Sequence, residues 1–247
     1  MIDRGARRAP RIPERALAAA AALLTAAAFG LVPACGAEPV DYDPGISPSD
    51  LSTAVDNPLL PFPVGATWVY EATTDEGTER IEIEVLDETK AVAWGATGIV
   101  VRDTVYLDGA LIEDTWDWYA QHNDGAVWYL GEETYEYEDG EVKCDCGAWE
   151  AGVDGALPGI VMPATPSVGD SYRQEYYAGE AEDRGEVVAL DESVTVPAGS
   201  FTGCVKIKES SDIDPDLLEY KYFCEGVGLV LVEEDGERVE LLEYSGL

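Results

Sequence analysis

Arg80-Ile81-Glu82-Ile83-Glu84-Val85 is the stretch that decides the fold, because apolar and acidic side chains alternate in it from Ile81 onward. Side chains of a β-strand point alternately to opposite faces, so this period of two predicts a sheet with one apolar and one wet face. Asp-Gly pairs, which are typical of two-residue hairpin loops, recur along the rest of the chain. The pairs predicted to be hairpin turns lie at residues 108–109, 124–125, 139–140 and 235–236.

The same pattern predicts the architecture and the domain division. After residue 35, no segment carries an apolar stripe at helical spacing over three turns. We therefore predict an all-β domain, with a strongly curved antiparallel sheet or open β-barrel of roughly ten to twelve strands and little helix. A single domain is expected at 64–247, since no second linker divides it. Residues 149–163 are rich in Gly and Pro and are expected to form an ordered loop packed over the sheet.

Composition limits the classes of partner. The chain has 247 residues and a formal net charge of −35, from 50 Asp and Glu against 15 Lys and Arg. This excess of negative charge repels phosphate backbones and excludes nucleic acid as a partner. Hydrophobic residues make up 46% of the chain, which is enough for one core, so the charge does not predict wholesale disorder.

The first 34 residues have the features of a secretory signal peptide. Arginines are frequent at the start, and an uncharged run from Ala16 to Ala34 follows. Val32-Pro33-Ala34-Cys35 resembles a bacterial lipobox, in which the Cys35 thiol receives a lipid. The alternative is cleavage by signal peptidase I after Gly36 or Ala37. Residues 35–63 are acidic, contain several prolines and are predicted to be a linker.

These features predict an exported protein that is anchored to the cell envelope by a lipid on Cys35. The chain beyond residue 34 is strongly acidic, so an anionic membrane surface does not attract it. Membrane attachment is therefore expected only through the lipid. If the alternative cleavage occurs, the protein is secreted or periplasmic and soluble.

The other four cysteines suit an oxidising compartment. A hairpin with its turn near Asp214 places Cys204 opposite Cys224, which predicts a disulfide between them. Cys144 and Cys146 are separated by one residue, and a bridge between them needs a bulge or turn near Gly147. A Cys-x-Cys element also suits zinc, but the usual ligand spacing and a His partner are missing, so no metal site is predicted.

The candidate ligand-binding residues lie on two neighbouring aromatic segments. They are Asp117, Trp118 and Tyr119 on the first segment and Trp128 on the second. Alternation predicts that Trp116 and Trp118 share one face, with Asp117 and Tyr119 on the other. If the tryptophans point to the concave side, we expect Trp116 in the core and Trp118 at the rim facing Trp128. The alternative is that both tryptophans simply fill the core. A one-residue slip in register would reverse these faces.

The sequence predicts no catalytic residue and no cofactor. It has one histidine, His122, beside a predicted turn, and no nucleophile elbow, zinc-protease motif or phosphate-binding loop. Acids beside aromatics leave carboxylate-dependent glycoside chemistry open, and these are Asp117, Glu132 and Glu175. Acidic runs at 136–141 and 233–235 lack the spacing of a calcium-binding EF-hand.

Several blocks resemble a family of bacterial exported proteins without an assigned reaction. The blocks lie at 57–70, 117–121, 127–132, 149–164, 172–176, 181–183, 196–201 and 226–230, and the resemblance covers roughly 53–247. Two features depart from the family pattern, namely His122 and the cysteines of the segments CDCG and YFCEG. The resemblance implies a β-rich extracytoplasmic domain.

Two classes of function remain. The first is a non-enzymatic envelope protein that binds a hydrophobic or carbohydrate ligand, or an envelope partner, on the concave face of the sheet. The alternative is a secreted hydrolase that uses carboxylates near Trp118 and Trp128. An aromatic pocket without convergent acids favours the first class, whereas two carboxylates facing each other across a cleft favour the second.

Overall fold

The computed structural model describes residues 42–247, and the all-β prediction is confirmed there. A 3-10 turn at Pro48–Asp50 is followed by sixteen strands in this part of the chain. The strands are β1 (Leu51–Ser52), β2 (Thr67–Thr74), β3 (Gly77–Ala91), β4 (Thr97–Leu107), β5 (Ala110–His122), β6 (Val127–Glu138), β7 (Glu141–Cys144), β8 (Trp149–Glu150), β9 (Leu157–Met162), β10 (Ser171–Arg173), β11 (Glu175–Tyr176), β12 (Asp183–Val196), β13 (Gly199–Ser211), β14 (Leu218–Cys224), β15 (Gly228–Glu234) and β16 (Glu237–Ser245).

The strands form one antiparallel sheet that is nearly closed on itself. Its order is β10-β12-β13-β14-β15-β16-β2-β3-β4-β5-β6-β9-β11. The two ends of this order, β10 and β11, are separated in sequence only by Gln174. β10 pairs with β12, β11 pairs with β9, and the Gln174 N–H donates to the Asp183 carbonyl at 2.8 Å. A single extended segment therefore bonds to both edges of the sheet.

The structure has more strands than predicted, for two physical reasons. The short strands β1, β7 and β8 pair beside the main order with β5 and β6, and β10 and β11 are two halves of one segment. The expected loop at 149–163 also contains β8 and all of β9, with only turn residues between them. Gly and Pro in this stretch suggested a loop, but Gly159 is a glycine because the backbone of Gln174 passes against it.

The predicted Asp-Gly turns are confirmed as hairpin loops at three positions. In the pairs at 108–109, 139–140 and 235–236, both residues have positive φ angles, between 46° and 92°. This is the conformation of a type I′ turn, whose twist matches that of the flanking strands. These tight loops fix the registers of the β4–β5, β6–β7 and β15–β16 pairs.

The cross-strand partners show which side chains lie on the inner face of the sheet in each strand. Ile83 is buried and lies opposite Asp103, Asp103 lies opposite Thr115, and Thr115 lies opposite Thr134. Neighbours across antiparallel strands share a face, so all four side chains point inward. The inner face is apolar on β15, β16 and β2 and, apart from the buried Glu79, on β3, whereas β4 to β6 and β11 to β14 contribute many buried acids.

The segment before β2 is packed against the sheet. Leu51 lies opposite His122 in the β1–β5 pair, and the side-chain oxygen of Gln121 accepts the N–H of Asn57 at 2.8 Å. The Phe62 ring is buried with its centroid 5.0 Å from that of Tyr119. The second half of the predicted linker at 35–63 is thus ordered against the domain. The signal peptide and Cys35 lie outside the described residues.

The four cysteines among the described residues form two disulfides of different character. Cys204 and Cys224 are bonded across the β13–β14 hairpin, and both are fully buried. Cys144 and Cys146 are bonded at the end of β7, with Cys144 half-buried and Cys146 exposed. Gly147, with φ of 95°, provides the turn after the second pair.

Closure of the sheet generates a prediction for Gly159. A Cβ atom at this position would collide with the Gln174 backbone, where no side chain can move away. We expect Gly159→Ala to lower the free energy of unfolding by about 1–3 kcal/mol or more, measured by urea denaturation. Gly98→Ala is the comparison, because a Cβ atom there would lie 3.1 Å from its nearest neighbours, the Trp118 Cβ atom and the Tyr119 carbonyl oxygen, rather than in collision with them. A smaller loss for Gly159→Ala than for Gly98→Ala would contradict the closure.

Candidate functional site

The candidate site is the group of carboxyls on the inner face of the sheet. β5 contributes alternate residues to it, and these are Glu113, Thr115, Asp117 and Tyr119. All four are at most 7% exposed. Alternate residues of a strand point to the same face of the sheet. On β3 the inward positions are occupied by isoleucines, whereas on β5 the corresponding inward positions are occupied by these polar residues.

Two carboxyl groups lie directly opposite each other at the centre of this group. Asp117 of β5 pairs in register with Glu132 of β6, and both side chains are buried. The hydroxyl of Tyr129 donates a hydrogen bond to the Asp117 Oδ1 atom at 2.9 Å. Because adjacent like charges in a dry interior repel strongly, the two carboxyls cannot both be ionised without a counter-charge.

Tyr119 adds a polar atom without a partner among the described residues. Its side chain is 0% exposed, and no hydrogen bond is made by its hydroxyl there. Burial raises the pKa of Tyr119 well above its ordinary value, and nearby Asp117 and Glu132 raise it further. The Tyr119 ring stacks on that of Tyr129 at a centroid distance of 5.0 Å, and the Trp149 ring meets Tyr129 edge-on at 5.3 Å.

A second set of buried acids lies on β11 to β14 and consists of Glu175, Asp183, Glu209 and Glu219. Lys221 of β14 is 1% exposed, and its Nζ atom lies 2.6 Å from Glu209 Oε2 and 3.6 Å from Glu219 Oε2. Gln174 donates from Nε2 to Glu209 Oε1 at 2.7 Å. Burial lowers the pKa of Lys221, but the charges of Glu209 and Glu219 outweigh it, so the pKa is raised. The lysine therefore remains charged and compensates part of the acid.

Glu175 links the two sets. It is 3% exposed, and burial raises its pKa well above the ordinary value, with Asp183 adding to the effect. Glu175 also raises the pKa of Glu132, after burial and Asp117. The structure thus brings together Asp117, Glu132 and Glu175, the acids for which the sequence left carboxylate chemistry open.

Most of these carboxyls hold their protons to near neutral pH. Burial raises the pKa of Asp117 and Asp183 to about 7 and that of Glu113 and Glu219 to about 8. Asp103 is also fully buried, with one oxygen that has no partner among the described residues, and its pKa is raised well above the ordinary value by burial. The interior can therefore take up or release protons, or hold a cation in their place.

The predicted ligand-binding set is divided between two faces. Asp117 and Tyr119 point inward, whereas Trp118 and Trp128 lie on the opposite face. Trp118 is 5% exposed and lies under Lys90, whose Nζ atom is 4.4 Å from the ring centroid. The alternation along β5 is as predicted, but the pairing with β4 makes the face of Asp117 and Tyr119 the inner one. The tryptophans therefore form no platform on the concave face, and Trp118 is packed rather than at a rim.

The other residues singled out in the sequence, Trp116 and His122, contact neighbouring charged side chains. Trp116 is only half-buried on the outer face, and the Arg102 guanidinium lies 5.1 Å from its ring centroid. His122 Nδ1 is 2.9 Å from Asp124 Oδ1 in the turn after β5. The residues that sequence reasoning missed are Asp103, Glu113, Asp183, Glu209, Glu219 and Lys221. The sequence feature that could have identified them is a polar residue at a position where strand alternation points the side chain inward, as in Glu219-x-Lys221-x-Phe223.

Comparisons with known proteins give structural neighbours only. No protein-family model matches the chain, and no curated protein matches it. One similar solved structure is a candidate exported protein with a YmcC-like fold from Bacteroides fragilis, with a TM-score of 0.43, 13% identity, and coverage of 76% of this chain and 98% of that one. Another is a candidate lipoprotein from Parabacteroides distasonis, with a TM-score of 0.40 and the same identity and coverage.

Likenesses of this size carry no functional argument, so the resemblance to a family of exported proteins stays a prediction. Among residues 42–247, no helix has the length and apolar character needed to cross a membrane. Any function is therefore inferred from the chemistry of the described residues themselves.

The two neighbouring tryptophans of β5 test the assignment of faces. We expect Trp118→Ala to lower the free energy of unfolding by about 3–5 kcal/mol, because its buried ring leaves a cavity. Trp116→Ala should cost clearly less, because its ring is already half-exposed. Urea denaturation of both variants measures the difference. A larger loss for Trp116→Ala would contradict the register of β5.

The buried carboxyls predict that the protein is more stable at acidic than at alkaline pH. A carboxyl whose pKa is raised on folding contributes stability below its unfolded pKa, near 4, and loses it as pH rises through the folded pKa of about 7 to 8. Each such group costs about 1.4 kcal/mol per pH unit within that window. We therefore expect the free energy of unfolding to fall between pH 5 and pH 8.

Adjacent glutamates of β6 provide the variant and its control. Glu132→Gln removes an inward carboxyl and should make the pH dependence less steep by about one proton, raising stability at pH 8 relative to wild type. Glu133 is exposed on the other face, so Glu133→Gln removes the same charge from the surface and should keep the wild-type slope. Equal slopes for both variants would show that overall charge repulsion, rather than the buried group, sets the pH dependence.

Proposed function

We propose that the chain is a non-enzymatic extracytoplasmic protein that binds a small amine-bearing cation among the carboxyls inside its sheet. The observation that carries this proposal is the Tyr119 hydroxyl, which is fully buried, has no partner among the described residues, and lies among Asp117, Glu132 and other acids. The location rests on the predicted signal peptide. Lipidation at Cys35 would hold the domain at the envelope, and cleavage without it would release the domain.

An ammonium group matches the chemistry of this interior. It offers several N–H donors, which suit carboxylate and hydroxyl oxygens, and its charge neutralises an ionised carboxyl. The rings of Tyr119, Tyr129 and Trp149 lie beside the acids, and aromatic faces attract cations. An ammonium ion could therefore replace the protons that otherwise keep Asp117 and Glu132 neutral.

The acids also distinguish this ligand from the hydrophobic and carbohydrate ligands considered from the sequence. A hydrophobic ligand would leave the buried carboxyls without hydrogen bonds, which costs free energy. A carbohydrate offers hydroxyls but no charge, so it would not favour ionisation of Asp117 or Glu132. An envelope partner would need an exposed surface, whereas these groups are buried.

The alternative of a carboxylate-dependent hydrolase has one supporting observation, the close approach of Asp117 and Glu132. Glycosidases place their two carboxyls on opposite sides of the scissile bond. Here the two groups are cross-strand neighbours on one sheet and lie beside the same Tyr129 hydroxyl. Their side-by-side placement and their burial favour binding over hydrolysis.

Calorimetric titration of the full mature chain tests the proposal. Putrescine and ethylamine are the amine probes, and N-acetylglucosamine and palmitate represent the other ligand classes. We expect an amine to bind more tightly at pH 8 than at pH 5.5, because protonated carboxyls must ionise to hold it. Loss of one charge-assisted contact in Glu132→Gln should weaken binding by about tenfold or more.

Two further variants make the experiment selective. Tyr119→Phe removes the unpartnered hydroxyl with little change of volume and should weaken amine binding, while Glu133→Gln should bind like wild type. Binding of only the carbohydrate or the fatty acid would overturn the choice of ligand. Equal weakening by Glu132→Gln and Glu133→Gln would show that amines associate only with the acidic surface.

A further inference from the structure

The hairpin of β6 and β7 brings two cysteines and a glutamate together at the surface. Glu136 of β6 lies opposite Cys144 of β7, and Cys146 follows one residue beyond Asp145. The Sγ atoms of both cysteines and a carboxylate oxygen of Glu136 all lie within 4.8 Å of one another. Cys144 and Glu136 are half-buried, whereas Cys146 is exposed. The group therefore sits where solvent and solutes reach it.

Stability alone explains this disulfide poorly. A disulfide constrains the unfolded chain more strongly when it closes a longer loop. The Cys204–Cys224 bridge spans 20 residues and lies in the core, whereas the Cys144–Cys146 bridge spans 2. The short bridge closes almost no loop, and the strand that carries it is exposed except for half-buried Cys144. A role beyond chain constraint is required to account for two cysteines at these positions.

The donor atoms are those of a zinc site once the disulfide is open. Reduction by an external dithiol breaks the S–S bond, and two electrons and two protons pass to Cys144 and Cys146 while the dithiol becomes a disulfide. The two thiols lose their protons on binding a metal ion. Two thiolates and one carboxylate are common ligands of Zn²⁺, and water completes a four-coordinate site.

We propose that Cys144, Cys146 and Glu136 form a redox-gated site for a thiophilic divalent cation of the zinc class. The closed disulfide has no thiolate to offer, so the oxidised chain lacks the site. The reduced chain presents three ligands from one hairpin, whose register is fixed by the Asp139-Gly140 turn. Lys143, whose Nζ atom is 3.4 Å from Glu136 Oε2, would be displaced by the cation.

The negative charge around this hairpin also favours a divalent cation. Glu138, Asp139, Glu141 and Asp145 are exposed acids on this hairpin. They raise the local concentration of divalent cations without being ligands of the ion. Glu136 is the cross-strand neighbour of inward Glu113, but both cysteines lie beyond it, on β7 and in the turn that follows. The thiolates that distinguish this site are therefore not among the inward carboxyls, so the proposal does not depend on the proposed amine binding.

Metal titration of the reduced and oxidised full mature chain tests the proposal. The chain is reduced with a phosphine, desalted without oxygen and titrated with Co²⁺ as a spectroscopic substitute for Zn²⁺. Mass mapping of alkylated peptides establishes which cysteines are reduced. We expect one Co²⁺ per reduced chain with sulfur-to-cobalt charge-transfer absorption, displaced by Zn²⁺, and no such absorption from the oxidised chain.

Variants separate the hairpin site from the rest of the chain. The double variant Cys144→Ser and Cys146→Ser should lose the absorption, even if the buried disulfide is also reduced. Glu136→Gln should weaken Co²⁺ binding by about tenfold, while Glu138→Gln, which removes a nearby acid outside the site, should leave it unchanged. Equal binding by oxidised and reduced chains, or absorption that survives the double serine variant, would overturn the site. Unchanged affinity in Glu136→Gln would overturn its assignment as a ligand.

Discussion

Closure of the sheet at Gln174 is the constraint on which the rest of the structure depends. Residues on either side of Gln174 pair with β12 and β9, the strands at the two edges. Without this segment, both edges would expose unpaired backbone groups, and the inner face would be the open side of a curved sheet. With it, every inward side chain is enclosed, whether it is apolar or ionisable. Gly159 permits the closure because it leaves room for the Gln174 backbone.

Enclosure inside the sheet makes the ionised form of an acidic residue costly in free energy. Asp117 and Glu132 would have normal acidity on an open sheet, where water solvates both. Inside, they have almost no access to solvent and must be neutralised by protons or by a cation. Lys221 supplies a buried positive charge, but it is held by Glu209 and Glu219 on the other side of the interior. The acids of β5 and β6 are therefore neutralised by protons or by a further cation, and the proposed ammonium ion would take the place of those protons.

The sequence is sufficient to predict the strands and turns but not the faces of the central strands. Local alternation at 81–85 and the Asp-Gly pairs determine strand and hairpin positions. The inward face of β5 depends on its pairing with β4, and the face of Trp128 depends on an irregularity of β6 at Gly131, with φ of 123°, that local pattern does not reveal. Alternation alone places Trp118 on the same face as Trp116 but does not determine that this face is the outer one. The approach of Glu175 to Glu132 depends on contacts distant in sequence, so its position could not be predicted.

Tyr119 and its acidic neighbours differ in how they respond to pH, and this difference would couple the proposed cation binding to protonation of the carboxyls. The carboxyls change charge near neutral pH, and each change alters what the interior can hold. The Tyr119 hydroxyl does not, because burial and the surrounding acids raise its pKa well above the range in which those carboxyls titrate. It stays neutral and keeps both a donor and an acceptor at every relevant pH. In the proposed binding, a cation would meet one fixed polar group and several that change charge, so the number of protons that the carboxyls must release would govern its affinity.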